Sequence, residues 1–126
     1  FTIELDERAK EFNVRAYSLH PGSIFGTELG REASPQLFQE MGFCDSDGNI
    51  LPEVLATLKT VSQGAATTVW CATSPLLEDI GGVYCEDADV VSLRDGRVKP
   101  WSLDETSARR LWAATEAMLS MKFKVI

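Results

Sequence analysis

Apolar residues recur at helical spacing at the start of the chain. Leu5, Ala9 and Phe12 follow one another at intervals of four and three residues, which predicts a helix with one apolar face. Asn13 is suited to end this helix, because Asn tolerates the left-handed conformation of a C-cap. The chain is therefore predicted to open in a helix.

The polar side of this helix carries two favourable charge pairs. Glu4 and Arg8, and likewise Asp6 and Lys10, lie four residues apart with opposite charges. We expect both pairs to form. No residue before Phe1 is present to cap the helix, so we expect that the chain has lost residues that preceded it.

Two short strands are predicted, with a long segment between them. Residues 14–19 read as a strand that stops at Pro21, and residues 81–85 form a second strand. Strands joined by a long crossover pair in parallel, and parallel sheets are buried on both faces. Two strands cannot build such a core. We expect an α/β fold whose remaining strands come from sequence outside this chain or from another chain.

The segment between the strands, residues 22–59, has an irregular pattern. Ser34 is predicted to cap a short helix over residues 36–41, with proline at the first helical position. Pro52 opens another short helix, whose apolar stripe consists of Val54, Leu55 and Leu58. Loops of this length are usually lids or binding segments, so we predict a substrate lid here.

A nearly apolar helix follows. Thr60 and Gln63 form a capping box at its start, and the helix is predicted to run to about Thr73. With so few polar positions, it is predicted to be buried on most sides. Gly64 costs a helix about 1 kcal/mol relative to alanine, so we expect another element to pack closely there.

The longest helix is predicted near the end of the chain. Ser102 and Glu105 form a second capping box, and the helix runs to about Met121. Its predicted apolar face consists of Leu103, Leu111, Ala114, Met118 and Met121.

Composition limits the class of protein. The chain has 126 residues, enough for one domain, and is 44% hydrophobic and 25% charged, as in globular proteins. No apolar run approaches the roughly 20 residues of a membrane span. The net charge of −7 argues against a nucleic-acid partner. The cysteines, Cys44, Cys71 and Cys85, are odd in number and match no disulfide or metal spacing, so we expect reduced thiols in a cytoplasmic protein.

The sequence predicts no metal site. His20 is the only histidine, and a structural role at the end of the first strand is favoured. The run at 45–49 suggests calcium, but Gly48 is fourth rather than sixth, and Ala56 stands where an EF-hand needs glutamate. A solvated turn is favoured there. A second acidic stretch, which we expect to be exposed or to face another subunit, contains Glu86, Asp87 and Asp89.

Four segments, in order, resemble the C-terminal half of the short-chain dehydrogenases/reductases. They match the Pro-Gly motif after the sixth strand, the start of the next helix, the seventh strand and the last helix of the retinol-dehydrogenase-like branch. The segments are residues 18–24, 59–67, 81–87 and 101–112. The resemblance implies the C-terminal half of a single Rossmann-type domain, with its last two parallel strands and flanking helices.

The resemblance implies an oxidoreductase that transfers a hydride between NAD or NADP and an alcohol or carbonyl substrate. The family's Gly-rich loop, catalytic Ser and Tyr-x-x-x-Lys would precede Phe1. Neither tyrosine here starts that motif, since Tyr17 is followed four residues later by Pro21 and Tyr84 by Ala88. The 126-residue chain alone is therefore expected to be inactive.

The resemblance assigns the cofactor contacts to the segment after the first strand. The residues are Pro21, Gly22, Ser23, Ile24 and Thr27. Parallel α/β sheets bind ligands at the carboxyl ends of their strands, which agrees with this place. Where the family often has a threonine, this chain has Gly26. Either Thr27 reaches the cofactor through a shifted turn, or that contact is lost.

The apolar residues of the predicted lid are Phe25, Leu29, Phe38 and Phe43. They could line a substrate pocket or only anchor the loop. The first three are our candidate lid residues.

The resemblance also implies partners. We expect the N-terminal half of the same domain, and a homodimer or homotetramer with the opening helix at one interface. The alternative from another class is a truncated, non-catalytic module for binding or oligomerisation.

Overall fold

The described part of the chain combines five α-helices with a small mixed sheet of three strands, which confirms the α/β class. The structure is a computed structural model and describes residues 1–125. The helices are α1 (Thr2–Ala9), α2 (Pro35–Glu40), α3 (Pro52–Leu55), α4 (Val61–Thr73) and α5 (Glu105–Leu119). The strands are β1 (Ser18–His20), β2 (Tyr84–Glu86) and β3 (Asp89–Val90). Short 3₁₀ turns lie at Lys10–Phe12, Glu28–Gly30, Pro75–Leu77, Leu93–Asp95 and Pro100–Leu103.

The chain divides into two compact units. The first, here called the sheet unit, contains Phe1–His20 and the chain from Ala66 onward. The second, the loop unit, is Pro21–Ala65 and includes the predicted lid.

The sheet has three strands. β1 and β2 pair in parallel, as predicted, with Ser18 opposite Tyr84. β3 pairs antiparallel with β2 and is not predicted by the sequence. The hairpin between them turns at Asp87 and Ala88, whose φ angles of 55° and 56° are left-handed. Glycine or asparagine usually marks such a turn in a sequence, and neither stands at these two positions. A larger doubly wound sheet remains a prediction.

Asp6 on α1 fixes the path of the chain into β1. Its carboxylate accepts hydrogen bonds from Arg15 Nε at 3.0 Å and Nη2 at 2.8 Å, and from the Ala16 N–H at 2.9 Å. A Cβ on Gly81 would lie 2.6 Å from Arg15 Nε, so only glycine fits beside this pair. The Ala16 N–H is thus bonded to a side chain, and β1 begins at Ser18 rather than at the predicted residue 14.

The charge pairs on α1 differ in part from the prediction. The Glu4–Arg8 pair forms at 2.7 Å. The prediction of an Asp6–Lys10 pair is wrong, because Asp6 is buried against the chain that enters β1. Lys10 instead forms an ion pair with Glu7 at 2.7 Å.

The predicted cap of α4 is confirmed, but its predicted burial is wrong. The Gln63 N–H donates to Thr60 Oγ1 at 3.2 Å, and the Thr60 N–H donates to Gln63 Oε1 at 2.8 Å. Within the helix only Gly64 and Thr67 are buried, and Val69 is 57% exposed. The three described strands form a sheet too small to cover the rest of an apolar helix.

Helix α5 begins and packs differently from the prediction. Asp104, not Ser102, is its cap, and accepts a hydrogen bond from the Ser107 N–H at 2.8 Å. Ser102 belongs to the preceding 3₁₀ turn, where its hydroxyl donates to the Lys99 carbonyl at 2.6 Å. The buried residues of α5 are Ala108 and Trp112. The predicted apolar face, which contains Leu111, Ala114, Met118 and Met121, is not the buried one.

Trp112 explains which face of α5 is buried. Its ring packs against Phe1 and Phe123, with centroids 5.5 and 5.8 Å away, and the Arg8 guanidinium lies 4.8 Å over it. An indole that makes these contacts outweighs the more flexible Leu and Met side chains on the other face.

Replacing Asp6 should destabilise the protein strongly. In Asp6→Asn the Arg15 charge, on a side chain only 24% exposed, loses its partner. We expect the free energy of unfolding to fall by about 3 kcal/mol, measured by urea titration. The matched control is Glu7→Gln on the same helix, whose pair is exposed, with an expected change of about 0.5 kcal/mol. Equal effects of the two variants would contradict this role of Asp6.

Candidate functional site

The turn at residues 21–24 follows β1 directly. Gly22 has a φ of +83°, which side chains rarely adopt. A Cβ there would lie 2.6 Å from Cδ and 2.7 Å from Cε of Lys59. The Lys59 N–H donates to the Ser23 carbonyl at 2.8 Å, and Ser23 forms a parallel bridge with Leu58. The left-handed conformation of this turn therefore favours glycine, and a side chain there would displace the end of Lys59.

The first turns of α4 hold the other side of the same turn. A Cβ on Gly64 would fall 2.8 Å from Ile24 Cγ1 and 3.6 Å from the Pro21 carbonyl oxygen. The close packing predicted at Gly64 is therefore confirmed. Pro21, Ser23 and Ile24 are all positioned by neighbours within the loop unit.

Lys59 is the residue of this region that sequence analysis does not single out. Its side chain lies beside Gly22, and its backbone pairs with Ser23. Its only signal in the sequence is its place just before the Thr60 cap. Neither the contact with Gly22 nor the bridge at Leu58 has a local sequence pattern.

The segment after the turn differs from the family pattern. Gly26 has a φ of +77°, and no atom lies within 4 Å of where its Cβ would be. A β-branched threonine would be strained at this φ, so the backbone here favours glycine. Thr27 is exposed and begins the 3₁₀ turn Glu28–Gly30 without a capping hydrogen bond from its side chain. Its contact with the cofactor stays a prediction.

The candidate lid residues separate into two groups. The Phe38 ring lies between those of Phe25 and Phe43, with centroids 5.9 and 6.3 Å away. A Cβ on Gly30 would lie 3.2 Å from Phe38 Cζ, so the chain also packs on this ring. Leu29 is 96% exposed and is not part of the cluster. The aromatic residues anchor the loop, and their contact with a substrate stays a prediction.

Both tyrosines are half-buried, and their pKa values lie above the ordinary value. Burial raises the pKa of Tyr17, and its hydroxyl donates to the Leu77 carbonyl at 3.1 Å. Burial also raises the pKa of Tyr84. A base that works near neutral pH needs a lowered tyrosine pKa. That no catalytic residue lies in the described chain stays a prediction.

The end of β1 is polar and lies beside charges of both signs. His20 is the last residue of the strand and stands opposite Glu86. Arg97 Nη1 lies 3.3 Å from Glu86 and 3.8 Å from Asp87, so a cation side chain neutralises part of the acidic stretch.

The described residues 1–125 contain no group of three His, Cys, Asp or Glu side chains placed to hold a metal ion. No helix among them has both the length and the apolar character required to cross a bilayer.

Curated proteins similar to this chain are oxidoreductases. It is 39% identical over 105 residues to a probable oxidoreductase of Streptomyces lividans, covering 79% of this chain and 34% of that protein. It is 34% identical over 121 residues to human retinol dehydrogenase 14, which covers 96% of this chain and 32% of that protein. It is 32% identical over 121 residues to human retinol dehydrogenase 11, which covers 96% of this chain and 33% of that protein.

The chain thus spans about a third of the length of these relatives. No protein-family model and no solved structure matches it. The similarities to retinol dehydrogenases nevertheless extend over nearly the whole chain and agree with the four resembling segments. The chain belongs to the short-chain dehydrogenases/reductases, on their retinol-dehydrogenase-like branch.

Proposed function

We propose that this chain is part of an oxidoreductase that transfers a hydride between NAD or NADP and a small alcohol or carbonyl substrate. The turn at residues 21–24, together with Thr27, contacts the nicotinamide end of the cofactor. Phe25, Leu29 and Phe38 belong to a lid over the substrate. The observation that carries the proposal is the turn itself, which follows a parallel strand and is held by Lys59 and Gly64.

The fit of the turn to a nicotinamide rests on its position and its rigidity. Ligands of parallel α/β sheets bind beyond the carboxyl ends of strands, and residues 21–24 lie just after the end of β1. Because the Ser23 carbonyl is engaged by Lys59, the backbone is oriented before a ligand arrives. A turn fixed in this way loses little entropy on binding.

Each residue of the turn has a separate task in this proposal. Pro21 fixes the direction of the chain by restricting φ. Gly22 gives the turn its left-handed conformation. Ile24 offers its main-chain N–H and C=O to the carboxamide, which keeps one ring face towards the substrate. A bound nicotinamide supplies the hydride chemistry. Correct orientation matters because the reacting atoms must approach to roughly 3–3.5 Å in line.

The acid and base of the reaction come from outside the described residues in this proposal. The raised pKa values of Tyr17 and Tyr84 support this view. By resemblance to the family, a catalytic Ser and a Tyr-x-x-x-Lys supply proton transfer in the full-length protein.

The open side of the sheet unit supports a larger assembly. Among the described strands β1 pairs with β2 alone, so its other edge is open to a further strand. Val69 and Leu76 in the same unit are 57% and 75% exposed. We propose that the remainder of a Rossmann-type domain adds to this edge, that the protein is cytoplasmic, and that it forms a homodimer or homotetramer.

The cofactor site can be tested with two glycine variants of the full-length protein. Gly22 and Gly48 both have a φ of +83°, so alanine at either position costs a similar backbone strain, about 1 kcal/mol. Gly22→Ala should also displace Lys59 and weaken NADH or NADPH binding about tenfold, which is ~1.4 kcal/mol. Gly48→Ala should leave affinity unchanged, because no atom lies within 4 Å of its Cβ position.

Fluorescence titration with NADH and NADPH, together with thermal melting of each variant, provides the measurement. The turn would be excluded as the site if Gly22→Ala kept wild-type affinity, or if both variants lost it equally. If the wild-type full-length protein bound neither cofactor, the oxidoreductase proposal would fail and the non-catalytic binding module would be favoured.

Leu29 provides a test of the lid. Its side chain is 96% exposed, so Leu29→Ala should not change the melting temperature. If Leu29 closes over an apolar substrate, the KM for octanal should rise about tenfold, from lost apolar burial. The control is Leu55→Ala, also exposed and in the loop unit, which should change neither value. An unchanged KM in Leu29→Ala would remove Leu29 from the lid.

A further inference from the structure

Aspartate is followed directly by glycine at two places in the chain, Asp47–Gly48 and Asp95–Gly96. Both pairs are exposed, the first in the loop unit and the second in the sheet unit. An Asp-Gly sequence favours cyclisation, because glycine has no side chain to obstruct attack of its amide nitrogen on the aspartate carboxyl group. Both turns are therefore candidate sites of covalent change.

The two turns are alike around the attacking nitrogen. Gly48 and Gly96 have φ angles of +83° and +69°, and no atom lies within 4 Å of where their Cβ atoms would be. Each glycine N–H donates to a carbonyl three residues earlier, Gly48 to Asp45 at 3.1 Å and Gly96 to Leu93 at 3.3 Å. The conformation and surroundings of the glycines thus do not distinguish the two sites.

The aspartate carboxylates are what distinguish them. Asp95 Oδ2 accepts hydrogen bonds from the Ser92 N–H at 2.7 Å and from the Ser92 hydroxyl at 2.9 Å. These bonds form a capping box and lower the pKa of Asp95, because they stabilise its charged form.

The Asp47 carboxylate has no comparable support. In its turn the accepting carboxylate is that of Asp45, which binds the N–H groups of Asp47 and Asn49, each at 2.9 Å. Among residues 1–125, which the structure describes, no hydrogen-bond donor or cation is paired with the Asp47 carboxylate. Its side chain is therefore able to turn towards the Gly48 nitrogen without breaking a bond.

We propose that Asp47 is a site of spontaneous isoaspartate formation, and that the Ser92 cap protects Asp95 from the same reaction. The Gly48 nitrogen attacks Asp47 Cγ, so that an N–C bond forms as a C–O bond breaks. The departing oxygen leaves as water, with the amide proton and one proton from solvent. Water then opens the cyclic imide at the Asp47 main-chain carbonyl, which breaks the original peptide bond and leaves Gly48 joined through Cγ.

The Ser92 bonds oppose the first step at Asp95. Attack requires the carboxyl group to be protonated and to face the glycine nitrogen, and both changes break the bonds to Ser92. Hydrogen bonds to a charged group at an exposed position should slow the reaction about tenfold. The Asp47 reaction meets no such barrier.

The product alters the turn that contains it. Isoaspartate adds one carbon atom to the main chain between Cys44 and Ile50, which pair as an isolated antiparallel bridge. It also leaves a main-chain carboxylate at residue 47, the kind of group that isoaspartyl methyltransferases methylate. This enzymatic label provides the means of detection.

Peptide mapping of the aged full-length protein gives a direct test. One sample is kept folded at neutral pH and another is kept in urea, and both are labelled with an isoaspartyl methyltransferase and S-adenosylmethionine. A lysine-specific protease releases peptides 11–59 and 60–99, each with one Asp-Gly pair. In the folded sample we expect about tenfold more label at Asp47 than at Asp95, placed by fragmentation. In urea, where the cap is lost, we expect similar labelling of both.

Two serine variants make the test specific. Ser92→Ala removes the hydroxyl donor, so labelling at Asp95 in the folded protein should rise towards that at Asp47. The control is Ser102→Ala, an exposed serine whose hydroxyl donates to the Lys99 carbonyl, and it should change neither site. Thermal melting shows that each variant is folded.

Three results would overturn the proposal. The first is equal labelling of the two sites in the folded wild-type protein. The second is the absence of label at Asp47, whether or not the urea sample is labelled. The third is an unchanged Asp95 in folded Ser92→Ala, which would show that the cap does not protect it.

Discussion

The Asp6 carboxylate is the constraint on which the sheet unit depends. It binds the Arg15 guanidinium and the Ala16 N–H, while the Ala16 carbonyl accepts a hydrogen bond from the Gly82 N–H at 2.8 Å. One charged group thus sets the position of α1 relative to the chain entering both β1 and β2. The register of the parallel pair, and with it the point where β1 ends, follows from this arrangement.

In the loop unit, Gly22 and Gly64 determine the backbone position of the candidate site, much as Asp6 does for the strands of the sheet unit. Gly22 supplies a left-handed turn against Lys59, and Gly64 lets α4 approach Ile24. Both contacts act on backbone position rather than on chemistry. This suits a segment proposed to orient a cofactor ring, because orientation requires main-chain atoms that do not move when the ligand binds.

Sequence patterns correctly predicted the helix caps, because a cap depends on residues that are close together in the chain. The Thr60–Gln63 capping box, the Ser34 cap and the left-handed Asn13 all depend on neighbouring residues, and all three are present. The ion-pair partner of Asp6 could not be predicted, because Arg15 reaches the carboxylate only once the chain has reversed direction after α1. The sequence pattern pointed instead to Lys10, four residues along the helix. The buried face of α5 was missed because Trp112 packs on Phe1, which is distant in sequence. The candidate site residues were assigned through family resemblance and stay a prediction, and Lys59 was not singled out because its contact with Gly22 is tertiary.

In the proposed function, the backbone at residues 21–24 orients the nicotinamide ring. A crystal structure of the full-length protein with NADH or NADPH would locate that ring. We expect its carboxamide to lie within hydrogen-bonding distance of the Ile24 main chain, with the Ser23–Lys59 bond retained. A nicotinamide bound away from this turn, with residues 21–24 facing solvent, would contradict it.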